Sequence, residues 1–270
     1  MPNHVKNIIK LTGAQNEIDY IVNLITKTEE VDGETQRVVD FNSLIPMPET
    51  LNVVSGGCAD ECLRLYISDV FYNDDIYGTK LKKHLDVLQR YNNSKLFGKV
   101  NITTECLYTL AEISDRCSKL LERYRADRKR IPLFDEGPWF RTTADVIAYG
   151  EQIYNNIEKY NAKDWYDWRI EHWGSKWNSY SNEQDVMPNC TKLKFETAWD
   201  IPYNFYVKLY EVIHRDCKSL SCNIRYANED CGSGIGEITD IIGDRVQGLN
   251  YLEEYEDDEL EEIYSKIWEE

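Results

Sequence analysis

Five of the seven tryptophans, Trp165, Trp168, Trp173, Trp177 and Trp199, fall within 35 residues, beside Lys176, Asn178, Glu196 and Asp200. Clustered rings supply contact area at low entropic cost, and a lysine among them can meet an anion or a phosphate. Trp173, Lys176, Trp177, Asn178, Glu196, Trp199 and Asp200 are therefore candidate ligand-binding residues. The same rings suit packing between a core and a hinge, with Lys176 paired to Glu196 or Asp200. Polar residues between the rings keep the pocket reading open, because a plain core has no need of them.

Other groups carry weaker chemistry. His214, Cys217, Cys222 and Cys231 read as H-x2-C-x4-C-x8-C. Structural zinc sites bring paired ligands close together on turns, whereas here Cys222 falls in an expected strand and His214 on an expected helix. Cys58 and Cys62 lie four apart on an expected helix and read as packing. The turn Cys231-Gly232-Ser233-Gly234-Ile235-Gly236 lacks the Lys-Ser/Thr of a phosphate loop and precedes a strand, so a tight connection explains its glycines. His4, His84, His172 and His214 have no metalloprotease or nucleophile-elbow context. No catalytic residue, cofactor or metal is assigned.

The elements that position these residues follow from periodicity. His4–Leu11 reads as a strand, and Ile18, Ile21, Val22 and Ile25 place a helix over about 14–28. Arg37–Phe41 reads as a second strand, ended by Pro46 and Pro48. Ile102, Cys106, Leu110, Ile113, Cys117, Leu120, Leu121 and Tyr124 keep helical spacing, with further helices near 59–71, 81–91 and 143–160. Strands return at 192–197, 220–226 and 237–242, with a helix after Pro202 carrying Phe205, Leu209, Val212 and Ile213. Two βα-type halves with added antiparallel strands predict an α+β fold: a ferredoxin-like antiparallel sheet with two packed helices, split by a large all-helical insertion. The expected divisions are 1–48 with 165–249 for the discontinuous sheet domain, 49–164 for the insertion, and 250–270 for an acidic C-terminal helix.

Charge is the other strong signal. Forty-eight acids against 31 Lys+Arg leave −17, which argues against nucleic-acid binding by the chain as a whole. The last 21 residues hold ten acids and one lysine, a net of −9. Leu260, Ile263, Tyr264, Ile267 and Trp268 nevertheless recur at helical spacing, so this is an amphipathic helix with an acidic face. Glu253, Glu254, Glu256, Asp257, Asp258, Glu259, Glu261 and Glu262 are candidate partner-binding residues. Lys119–Arg130 carries a local +4, which fits a nucleic-acid contact or, more commonly, a solvated helix end whose cations suit the C-terminal dipole. Eight cysteines without an export signal, and no long apolar run, predict a reduced cytoplasmic protein without a membrane span.

Four strings occur in order: Met1-Pro2-Asn3-His4-Val5-Lys6-Asn7, Ile45-Pro46-Met47-Pro48, Trp173-Gly174-Ser175-Lys176-Trp177-Asn178, and Phe195-Glu196-Thr197-Ala198-Trp199-Asp200-Ile201-Pro202. Together they resemble the YubB-like ferredoxin-fold family of bacteriophage and conjugative-plasmid proteins, over roughly 1–48 and 165–243. One departure, Ser175 where a threonine is expected, keeps the hydroxyl. The resemblance implies a mobile-element protein in a bacterial cytoplasm and assigns no activity. With the charge pattern and the absence of a catalytic signature, it leads to the expectation of an interaction protein. Such a protein binds and inhibits a host protein through its acidic surface, for instance a nucleic-acid-binding defence effector in an anti-CRISPR-like or other anti-defence role. The alternative is a small-molecule or nucleotide-binding protein, or an enzyme, using the tryptophan-rich pocket around Lys176.

Overall fold

The computed structural model describes residues 3–31, 33–73, 83, 143–230 and 233–269. The expected helices over 81–91 and 102–124 and the basic run Lys119–Arg130 lie outside the described residues, Lys83 apart. Strands β1 (His4–Thr12), β2 (Thr26–Val31), β3 (Glu34–Val39), β4 (Tyr180–Met187), β5 (Cys190–Ala198), β6 (Ser221–Asn228), β7 (Ile235–Ile242) and β8 (Arg245–Asn250) form two sheets. The helices are α1 (Gln15–Ile25), α2 (Gly57–Asn73), α3 (Thr143–Tyr160), α4 (Trp165–Trp173), α5 (Tyr203–Asp216), α6 (Tyr251–Glu254) and α7 (Asp257–Glu269). The protein is thus α+β. No described helix is long and apolar enough to cross a membrane.

The chain divides into two compact units, Met1–Pro46 with Arg169–Glu270, and Met47–Trp168. In the first, six antiparallel strands lie in the order β4-β5-β1-β6-β7-β8. Strand β1 is central, which suits its nearly continuous apolar run: Val5, Ile8, Ile9 and Leu11 are all fully buried. Alternation sends Val5, Asn7, Ile9 and Leu11 to the face of α5, where Tyr206 Oη donates to Asn7 Oδ1 at 2.6 Å. Asn7 Nδ2 in turn donates to Thr197 Oγ1 at 2.9 Å, so this buried amide is satisfied by strand and helix together. Ile8 faces the other side, against α6 and α7.

Two corrections to the expected elements share one cause. The first helix ends at Ile25 rather than near residue 28, because Thr26 turns extended and its hydroxyl donates to Val22 O at 2.6 Å. The β-branched stretch that follows pairs with β3 as a separate two-stranded sheet. The strand expected at 37–41 therefore ends at Val39 and lies outside the main sheet, and Phe41–Ser43 forms a 3-10 turn capped by Asp40. Two further strands, β4 and β8, had no clear apolar alternation.

The second unit packs α2 against α3. Cys62, Leu63, Tyr66 and Val70 of α2 and Val146, Ile153, Tyr154 and Ile157 of α3 are buried. Gly150 allows the approach: a Cβ there would stand 2.1 Å from Cys62 O, a backbone atom that cannot swing away. Gly150→Ala gains about 1 kcal/mol of helix propensity. That gain is exceeded by overpacking, which costs about 1–3 kcal/mol when neighbours can shift and more against backbone. Urea unfolding is expected to show a lowered midpoint; an unchanged or raised midpoint would contradict this close approach.

Candidate functional site

Two surfaces of the first unit carry the candidate residues. Around the tryptophans, α4 ends on Gly174, whose left-handed φ of 85° closes the helix and whose N–H donates to Ile170 O at 3.2 Å. A Cβ at this position would also meet Ile201 O at 2.8 Å, so the turn after β5 closes directly on Gly174. Trp173 is fully buried, donates from Nε1 to Ile45 O at 3.0 Å, and stands edge-on to Phe41 at 5.7 Å between centroids. The Arg169 guanidinium lies 4.9 Å over its ring. The Ser175 hydroxyl donates to Trp177 O at 3.0 Å and accepts from the Ala198 N–H at 3.3 Å. Asn178 Oδ1 accepts from Phe41 N at 2.9 Å, and its Nδ2 donates to Asp40 Oδ1 at 2.6 Å.

The seven candidate residues are thus sorted into different tasks. Trp173 and Asn178 belong to the framework that fixes Ile45, Phe41 and Asp40. Asp200 caps its own turn, accepting from Ile201 N at 2.7 Å and, through its backbone carbonyl, from Thr197 Oγ1 at 2.9 Å. Glu196 pairs across the sheet with Lys6, and its Oε2 lies 3.4 Å from His4 Nδ1. His4 also contacts Tyr180 Oη at 2.8 Å, and burial pushes the Tyr180 hydroxyl up to about 12, so it stays protonated and donates to Thr197 O at 2.9 Å. Lys176, Trp177 and Trp199 come together as a group: the ammonium lies 4.7 Å from one ring centroid and 5.2 Å from the other. Two faces of the lysine are met by rings of its own chain, an arrangement worth about 0.5–2 kcal/mol.

Lys176→Ala separates the two uses of this cluster. Loss of the stacked ammonium is expected to lower stability by about 1 kcal/mol, in the range of a partly exposed cation–π contact. Thermal unfolding reads it as a drop of a few degrees. An unchanged melting temperature would favour a lysine held for a ligand instead. Trp199 is the exposed partner, 40% accessible, and holds a left-handed φ of 79°, rare for so large a residue.

Two of the potential zinc ligands have other surroundings. His214 Nε2 lies 2.8 Å from Asp240 Oδ1, and burial pushes the Cys222 thiol up to about 12. Cys231 lies outside the described residues. Among the described residues no three metal-competent side chains come together.

The acidic surface is built by the chain's last described elements. Asn250 caps α6, accepting from Leu252 N at 3.3 Å, and Tyr251 donates to Glu237 Oε2 at 2.6 Å. Leu260 and Ile267 of α7 are buried with Ile8, Ala227, Ile235 and Tyr251, and Ile263, Tyr264 and Trp268 pack against them. Tyr264 Oη donates to Glu229 O at 2.5 Å. The apolar stripe read from the sequence is therefore the docking face. Glu253, Glu254, Glu256, Asp258, Glu259, Glu261 and Glu262 are exposed on the other side, while the Asp257 side chain lies outside what is described. Lys266 holds the Glu262 carboxyl below its usual range through a 2.6 Å hydrogen bond.

Residue spacing assigns no role to His4, to Tyr180 or to the Asn7–Tyr206 pair. A polar Asn7 at a core-facing position of an apolar strand was the available signal for the last; Tyr180 had none. No protein-family model, curated protein or solved structure matches the chain.

Proposed function

We propose that this chain is an interaction protein that presents the acidic face of α6 and α7 to a basic partner surface, such as the groove of a nucleic-acid-binding protein. The observation that carries the reading is the docking of α7. Its apolar stripe is buried on the sheet while seven acids of the 253–262 segment face solvent. Fixed charges of one sign on a rigid element steer association with an oppositely charged groove and cost less ordering entropy than a loose tail.

A ferredoxin-like frame and a mobile-element origin belong to the same proposal. In chain order β1, α1, β4, β5, α5 and β6 give βαββαβ, and their sheet order β4-β5-β1-β6 suits the ferredoxin-like sandwich. The β2–β3 hairpin and residues 47–168 would then be insertions between α1 and β4, and β7 and β8 an extension. The family-like strings supply the bacteriophage or plasmid context and the bacterial cytoplasm, where the partner would be a host defence effector. Within the first unit those strings meet in space: Trp199 N donates to Asn3 O at 2.8 Å, Trp173 to Ile45 O, and Ser175 accepts from Ala198 N.

Capture from bacterial lysate at low and high salt, followed by mass spectrometry, tests the function. The expected result is a basic, nucleic-acid-binding protein retained at low salt and released at high salt. Capture that is absent, or indifferent to salt, would overturn it.

A further inference from the structure

We infer that the outer edge of β8 is a second binding surface, which takes an extended, lysine-flanked peptide segment of a partner protein and receives one bulky apolar side chain in the cavity beside it. Strand β8 ends the six-stranded sheet, and all six of its residues are exposed. Of the eleven large hydrophobic residues exposed among the described ones, six belong to this region: Tyr203, Ile242, Val246, Leu249, Leu252 and Tyr255. An edge strand with apolar side chains and open backbone groups is a template for another strand, and unpartnered edges of this kind are normally blunted. Here the blunting is limited to an irregularity in the pairing with β7 between Ile238 and Asp240 and to one charge on the strand, Arg245.

The cavity lies at the same edge. It is an open pocket of about 240 Å³ over β6, β7 and β8, lined by Ile201, Tyr203, Tyr226, Ile238, Val246 and Leu249 together with Asn250 and Glu237, whose carboxylate is already engaged by Asn223 and Tyr251. That is below the roughly 300–1,000 Å³ of sites for drug-sized molecules, and it suits a single large side chain. In strand addition, main-chain hydrogen bonds give affinity and a pocket for one side chain gives selectivity.

Charge selects the occupant. Asp244, Glu253, Glu254 and Glu256 flank the strand in sequence and are exposed, against Arg245 alone on the strand. A second copy of this chain would bring its own Asp244, Glu253, Glu254 and Glu256 to the same place, whereas a lysine-flanked peptide gains by approaching them. The inference rests on the reading of the chain as an interaction protein; it uses the edge of β8 rather than the outer face of α7 and shares with the acidic face only Glu253, Glu254 and Glu256.

Fluorescence anisotropy with a labelled peptide of sequence KKTVFVTKK tests it. Saturable binding is expected, weakened about tenfold or more, some 1.4 kcal/mol, in the peptides KKTPFPTKK, KKTVAVTKK and EETVFVTEE. Val246→Arg and Leu249→Arg, both at exposed positions, should weaken it as much. The α7 variant with Asp258, Glu261 and Glu262 changed to Lys should bind the peptide unchanged. Equal binding of the proline peptide, no binding at all, or a dimer in sedimentation that Val246→Arg dissolves would each overturn the inference. Lysate capture lost in the α7 variant with peptide binding intact would leave both surfaces standing; salt-indifferent capture with intact peptide binding would remove only the acidic-face reading.

Discussion

Replacing Ile267 with Asp is expected to abolish partner capture although it leaves every acidic residue in place and adds one more. Ile267 is fully buried among Ile8, Ala227, Ile235, Leu260 and Tyr251. Truncating such a residue to Ala costs about 2–5 kcal/mol, and a buried carboxylate without a partner costs more. At 1.4 kcal/mol per factor of ten, the docked helix loses at least about thirtyfold in population. The sheet keeps its other layer, in which Ile18, Ile21, Val22, Phe205, Leu209 and Ile213 are buried, so the unit stays folded while α7 detaches. Limited proteolysis is expected to cut the released segment first. Because the variant is more negative than the parent, attraction by net charge alone predicts equal or stronger capture. Retained capture with a proteolysed or frayed α7 would show that a loose acidic tail suffices.

Phe41→Ala is expected to be the most damaging truncation beneath the tryptophan turn. Phe41 is fully buried and touches three rings: Trp173 at 5.7 Å, Phe195 at 6.0 Å and Phe205 at 5.0 Å between centroids. It joins the turn after β3 to α4, β5 and α5, so no single neighbour can collapse into the space it leaves. Removal of a buried Phe costs about 3–5 kcal/mol. At roughly 2–4 °C per kcal/mol, calorimetry should record a fall of about 6–20 °C. Phe41→Leu should recover most of it, whereas a loss under about 1 kcal/mol would mean that the aromatic cluster is loosely packed.

The contrast between Phe41 and the tryptophans shows where sequence reasoning reached and where it stopped. Regular periodicity was legible. The stripe Phe205, Leu209, Val212, Ile213 and the stripe Leu260, Ile263, Tyr264, Ile267, Trp268 both became docking faces, because a 3.6-residue repeat reports the buried side of a helix directly. Strand β4 was not legible: it is polar from Ser181 to Asp185, its Val186 and Met187 are exposed, it pairs at the sheet edge, and it carries an irregularity between Tyr180 and Glu183. Strand β8 is exposed along its whole length and so has no buried alternation to read.

The candidate site was legible as a neighbourhood and not as a division of labour. Trp173 and Trp177 are four residues apart, yet one is fully buried and the other partly exposed, because Phe41 and Ile45 arrive from a distant segment to cover only the first. Lys176 was expected to pair with Glu196 or Asp200. Glu196 also lies by His4 and Tyr180, Asp200 also holds the next backbone N–H, and the lysine stacks on rings. These assignments depend on strand register, which local sequence does not encode.

The most direct test of the central claim is the affinity of the captured partner for three forms of this chain, measured at low and high salt. The forms are the parent, the α7 variant with Asp258, Glu261 and Glu262 changed to Lys, and Ile267→Asp. The account predicts parental binding that weakens steeply with salt, loss of about tenfold or more in the charge-reversed form, and a comparable loss in Ile267→Asp despite its intact acids. Equal affinity of all three forms, unchanged by salt, would contradict it.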